Sequence, residues 1–232
     1  SIRVRALVPT SDIGTQWLSD SAFNDAAWLS GRNGVGYERS SGYEPYIDIN
    51  VDTQMAQRTS CYVRIKFNVN AEDLAVWNFL TLQARSDDGF VAYLNGNRIA
   101  ASNAPDDLNW NSSATATTND AIAATFQDFP ASSFLNLIQP GENLLAIHAL
   151  NASATSSDFL NQVKLIAGFN GASSPYREGM YSSLPLSAAR ALPDTAATPP
   201  PEDGYLANFG YPAGQLSNFT INSRFRYPVT DN

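Results

Sequence analysis

Cysteine and histidine are almost missing from this chain of 232 residues, which has one of each. One Cys, Cys61, excludes an internal disulfide framework, and a small apolar residue beside Tyr62 reads as core rather than as a reactive thiol. One His, His148, lies in the middle of the most apolar run. A Ser-His-Asp or Cys-His system would have to be built on a residue that reads as buried, and zinc sites of the familiar types need more His and Cys ligands than the chain holds. The sequence therefore reads as non-enzymatic. Basic residues are also scarce: 14 Lys and Arg face 22 Asp and Glu, for a formal net charge of -8. Nucleic-acid binding needs clustered cations to replace phosphate counterions, and no basic patch occurs. Long apolar runs are absent too. Leu144 to Leu150 is far too short to span a bilayer, and the N-terminus lacks the regions of a signal peptide. With no initiator Met, the sequence reads as processed or as excised from something longer.

What is present is 44% hydrophobic and 16% charged, the composition of a folded chain with a neutral, Ser/Thr/Asn-rich surface that suits an extracellular setting. Three sequons occur, at Asn111, Asn151 and Asn218, and have meaning only where the source glycosylates such sites. The length suffices for one large β domain with an appendage.

Period-two alternation dominates the pattern. Ile2 to Val8 reads as a half-buried strand ending at Pro9. Tyr62 to Val69 sends Val63, Ile65 and Phe67 one way and Tyr62, Arg64 and Lys66 the other. Leu74 to Arg85 alternates likewise. Ser86 to Asn97 (SDDGFVAYLNGN) reads as polar turn, strand and tight turn, with Asn95-Gly96 the strongest short-range hairpin signal available. Arg98 to Ala101 is the returning strand. Phe126 to Phe129 and Val163 to Phe169 are further strands, Ala131 to Ile138 reads as a turn of helix, and Asn143 to Leu150, apolar on both faces, is expected at the centre of a sheet. No sustained 3.6-residue pattern is found, so the reading is an all-β sandwich or barrel.

Between these strands lie long loops. Thr10 to Gly36 carries Trp17, Phe23 and Trp28, with a helical turn expected at Asp25 to Trp28. Tyr37 to Tyr46 (YERSSGYEPY) reads as a surface loop lining a binding face. Asn103 to Asp120 is polar, with Trp110 alone in its middle. After residue 171 the composition turns Pro-rich, giving domains of 1–171 and 172–232. The tail ends in an alternating run containing Phe219, Ile221 and Phe225.

Taken together, Trp17, Phe23-Asn-Asp-Ala-Ala-Trp28, Gly34-Val-Gly-Tyr-Glu38, Tyr62-Val-Arg-Ile65, Asp87-Asp-Gly-Phe-Val-Ala-Tyr-Leu-Asn-Gly96 and Gly141-Glu-Asn-Leu-Leu-Ala-Ile147 resemble the galactose-binding-like jelly-roll modules of large secreted bacterial proteins. The resemblance covers roughly residues 6 to 169, a span suited to one domain. It implies a jelly-roll β-sandwich of two antiparallel sheets and a carbohydrate-binding-module-like, non-catalytic role, with glycan or another surface ligand held by loops at one edge. Relatives of that fold often hold a structural Ca²⁺. A fold shared by many functions is an analogy only, so the residues must carry the rest.

Sugar recognition needs an aromatic face for the apolar side of a pyranose and polar groups for its hydroxyls. Tyr37, Tyr43, Tyr46 and Trp110, with Arg85, Asn103 and Asp107, supply these types, and Trp110 is the sharpest candidate. A loop Trp can equally fold back to cap a sandwich. Asp87 and Asp88 are candidate ligands for a structural Ca²⁺, although Asp before Gly is also ordinary turn chemistry. No other cofactor is expected. The alternative function is assembly: the tail, through Phe219, Ile221 and Phe225, would add a strand to a neighbouring subunit in a surface fibre or layer.

Overall fold

A computed structural model describes residues 3–169. The tail and its residues Phe219, Ile221 and Phe225 lie outside the described residues. Eleven strands dominate: β1 (Val4–Leu7), β2 (Leu29–Gly31), β3 (Val35–Glu38), β4 (Ile49–Asn50), β5 (Ser60–Val69), β6 (Phe79–Asp87), β7 (Gly89–Leu94), β8 (Asn97–Ser102), β9 (Gln127–Pro130), β10 (Gly141–Leu150) and β11 (Asp158–Gly168). They form a six-stranded sheet, in the order β2-β1-β5-β10-β7-β8, and a five-stranded sheet, β4-β3-β11-β6-β9. β5, β6 and β7 alternate between the sheets, as do β9, β10 and β11, which is the winding of a jelly roll. All pairings are antiparallel except the short β3–β4 pair, which is parallel.

Alternation decides what each strand buries. Leu145, Ile147 and Ala149 of β10 meet Leu80, Leu82 and Ala84 of β6 and Phe159 and Val163 of β11 in the core between the sheets. Cys61 is wholly enclosed there. The opposite face of β10 is covered as well. Leu144 and Ala146 pack with Tyr62, Trp17 and Trp28 in a second cluster on the outside of the six-stranded sheet. This explains why Asn143 to Leu150 has no polar face: each of its sides meets a core.

The second cluster exists because the loop after β1 is tied down by a buried cation. Arg64 projects from β5 away from the main core, and its side chain is 0% exposed. Its Nε donates to Asp25 Oδ2 at 2.7 Å, and its Nη atoms donate to the carbonyl oxygens of Trp17 and Asp20. Phe23 lies beneath the guanidinium. Trp17 stacks on Tyr62 with ring centroids 4.0 Å apart. The expected helical turn at Asp25 to Trp28 is a single turn, closed by Trp28 N–H donating to the Asp25 carbonyl. Trp77 packs against the main core.

The Asn95-Gly96 hairpin is present between β7 and β8, with φ of 49° and 87° at the two positions. Those values suit Asn and Gly and match the twist of paired strands. Asn95 also bonds outward: its side chain accepts from Leu144 N–H and donates to Asn143 Oδ1, both at 2.8 Å. Three expectations are corrected. The strand expected from Leu74 begins at Phe79, because Ala71–Leu74 closes into a short helix. The polar turn expected over Ser86 to Gly89 shrinks to one residue: β6 runs through Asp87 in one sheet, β7 starts at Gly89 in the other, and Asp88 alone makes the crossing. Tyr37 to Tyr46 is not a surface loop throughout, since Tyr37 sits inside β3 and pairs with Phe159.

Removing one partner of a buried ion pair leaves an uncompensated charge, at a cost of about 3–5 kcal/mol. Asp25→Ala is expected to lower unfolding free energy in urea by that order and to release the Trp17 loop, seen as a red shift of Trp fluorescence.

Candidate functional site

Four chain segments meet at the end of the sandwich where β5 begins and β10 stops. They are Pro9 and Thr10 after β1, Ala56 to Ser60 before β5, the loop after β8 with Trp110, Asn111 and Ser113, and Ala152 to Ala154 after β10. Together they enclose an open cleft of about 770 Å³. Trp110 forms part of its wall. The indole is half-buried and packs against the aromatic cluster of Trp17, Trp28 and Tyr62. Both readings of Trp110 therefore meet in one place, as it leans on a core and also lines a cleft.

The cleft is held by buried polar groups rather than by regular structure. Asp88, 5% exposed, accepts Thr118 N–H on Oδ1 and Ala152 N–H on Oδ2, each at 2.8 Å. One carboxylate thus fastens the loop that carries Trp110 to the loop that faces it. The Asp88 carbonyl also accepts from Thr118 Oγ1 and Asn103 Nδ2. Gly89 is required beside it, because a Cβ there would lie 2.7 Å from the Asn103 carbonyl oxygen.

Closer to Trp110, the Ser112 carbonyl accepts from Thr59 Oγ1 at 2.9 Å and Ser60 Oγ at 3.0 Å. Ser60 Oγ is also 2.9 Å from His148 Nε2. A hydroxyl has one proton to give. With that proton on Ser112, His148 Nε2 carries its own and donates to Ser60. The lone histidine is thus a buried strut behind the cleft, its ring edge-on to Tyr62 at 4.7 Å. Burial pulls its pKa down to about 3.

The other candidates go elsewhere. Tyr37 is 1% exposed; its hydroxyl donates to the Ser156 carbonyl and accepts from Asn151. Tyr43 is equally enclosed, against Leu160 and Ala123. Neither ring is open to a sugar: irregular polar surroundings in the chain conceal that Tyr37 belongs to the main core between the sheets and Tyr43 to a separate buried cluster on Leu160 of β11. Tyr46 is half-buried, with the Arg85 guanidinium 3.9 Å above its ring. Arg85 is engaged further by the Ala124 carbonyl, by Gln162 and by the Phe126 ring. Asn103 is turned inward to Asp88 and Thr118. Asp107 is exposed on the Trp110 loop. Of the glycan candidates, then, only Trp110 lines the cleft. Arg58, Gln57 and Thr59 line it too, and no sequence pattern marked them.

Asp87 is 3% exposed beside Asp88. Burial raises its carboxyl well above the usual range, and the charges of Asp88 and Asp158 push the same way. Among the described residues, no group of three or more His, Cys, Asp and Glu side chains is placed to hold a metal ion.

No protein-family model and no curated protein matches the chain. Among solved structures it is similar to a β-glucuronidase from Bacteroides uniformis, with 14% identity and a TM-score of 0.38, over 68% of this chain and 16% of that one. A β-D-mannosidase from Dictyoglomus thermophilum gives 16% identity and a TM-score of 0.33, over 65% and 15%. A glycosyl hydrolase family 2 member from Bacteroides cellulosilyticus gives 11% and 0.37, over 69% and 20%. The chain spans a fifth or less of each of these proteins.

Two stability profiles follow. A histidine held neutral in the fold but protonated in the unfolded chain costs stability as pH falls below about 6.5. His148→Gln, which keeps a donor for Ser60, is expected to flatten urea-melt stability between pH 6.5 and about 3 relative to wild type. Asp87 acts with the opposite sign. Its folded form retains a proton that the unfolded carboxyl loses above about pH 4, so stability falls as pH rises from there. Asp87→Asn should remove that decline and raise the melting temperature at pH 8.

Proposed function

We propose that this domain is a non-catalytic, extracellular recognition module that binds glycan in the cleft beside Trp110. The observation that supports it is the composition of that cleft. An indole wall stands beside hydroxyl and amide side chains of Thr10, Gln57 and Asn111, all of which line the cleft and are exposed. An apolar plane beside directional polar groups is what a pyranose requires, one face of its ring being carbon-bound hydrogen and its rim hydroxyl. The anchors at Asp88 and His148 fix the walls before any ligand arrives, which lowers the ordering cost of binding. The Ser/Thr/Asn-rich composition fits the same setting.

A glycan array of plant, algal and bacterial oligosaccharides tests this reading. Binding is expected for the wild-type protein, with an affinity at least about tenfold lower for Trp110→Ala, equal to about 1.4 kcal/mol. Trp110→Phe should retain most of it. Tyr46→Ala, whose ring is already covered by Arg85, should bind as wild type does. No binding by the intact protein, or loss with Tyr46→Ala in place of Trp110→Ala, would overturn the reading.

A further inference from the structure

The cleft beside Trp110 has no carboxylate in its lining, in a chain where Asp and Glu outnumber Lys and Arg by 22 to 14. Its charged lining residue is Arg58. Four other arginines are neutralised, Arg5 and Arg64 by Asp25, Arg32 by Asp48 and Arg39 by Asp52, whereas Arg3, Arg85 and Arg98 pair with no carboxylate among the described residues but lie outside the cleft. Arg58 pairs with no carboxylate among the described residues. Its Nη1 donates to the carbonyl oxygens of Gln54 at 3.2 Å and Ala56 at 3.4 Å, contacts that hold the guanidinium at the rim. Nε and Nη2, the edge that matches the two oxygens of an anion, donate to no protein acceptor among those residues.

An uncompensated guanidinium in an acid-free cleft selects charge. Resting on the glycan reading above, we infer that the ligand is an acidic saccharide. Its anionic group sits on the Nε and Nη2 edge of Arg58, and its ring lies along Trp110. A uronate carboxylate and a sulfate ester offer the same paired oxygens. The chain as a whole carries a formal net charge of -8, which disfavours polyanions elsewhere, so such a ligand is accepted at this acid-free cleft.

The test measures affinity for oligogalacturonate, oligoalginate and a sulfated galactan beside neutral counterparts, including the methyl ester of the same oligogalacturonate. At least one acidic saccharide is expected to bind tenfold or more tightly than its neutral counterpart, with the preference falling as salt is raised. Whether the uronates or the sulfated galactan responds separates the two anions. Arg58→Gln, an exposed position where the fold has little at stake, should abolish the preference, and Arg58→Lys should restore only part of it. Equal or tighter Trp110-dependent binding of neutral glycans would overturn the charge inference and leave the glycan reading standing. An absence of binding by every acidic and neutral saccharide would overturn both.

Discussion

Backbone N–H groups from two distant loops converge on one buried carboxylate, that of Asp88, and the arrangement of the whole cleft end depends on it. The residue stands where the chain leaves one sheet for the other, so its backbone is already fixed by β6 on one side and β7 on the other. Its carboxylate then has no freedom to follow the loops, and the loops must come to it. A buried acceptor of this kind is stable only while both oxygens are supplied with donors. Thr118 and Ala152 supply them.

The six-stranded sheet shows a related economy. It is covered on its outer face by a loop with hardly any regular structure, and the cover holds because Arg64 reaches out from β5 to collect a carboxylate and two carbonyls. The aromatic cluster formed beneath that loop is also what Trp110 leans on. Scaffold and cleft therefore share a wall. The indole is positioned by packing on its inner side and remains available on the other, which is how a half-buried aromatic combines rigidity with contact.

The parts legible in the sequence are those set by local rules. β5 and β10 declare themselves by alternation and by a run apolar on both sides, and the Asn95-Gly96 turn by the positive φ that both residues tolerate. What could not be read depends on contacts between residues far apart. Tyr37 and Tyr43 look like surface residues because Glu, Ser and Gly surround them, yet the strand pairing with β11 turns Tyr37 inward. Asp88 beside Gly89 has the form of turn chemistry, but the amides it satisfies lie 30 and 64 residues away. Arg58 belongs to no pattern, and its isolation from carboxylates is a property of the folded cleft alone.

The cleft draws its walls from segments beginning near Pro9, Ala56, Trp110 and Ala152, spread across most of the described chain. Each segment closes a different strand connection. No excised fragment holds the site, because no fragment contains the sheets that bring the four together. Occupancy and folding are consequently one equilibrium: whatever seats in the cleft is bound by the assembled sandwich and not by the open chain, and its binding free energy is added to the stability of every strand at once. The shape of the cleft is thus a gauge of the integrity of the domain.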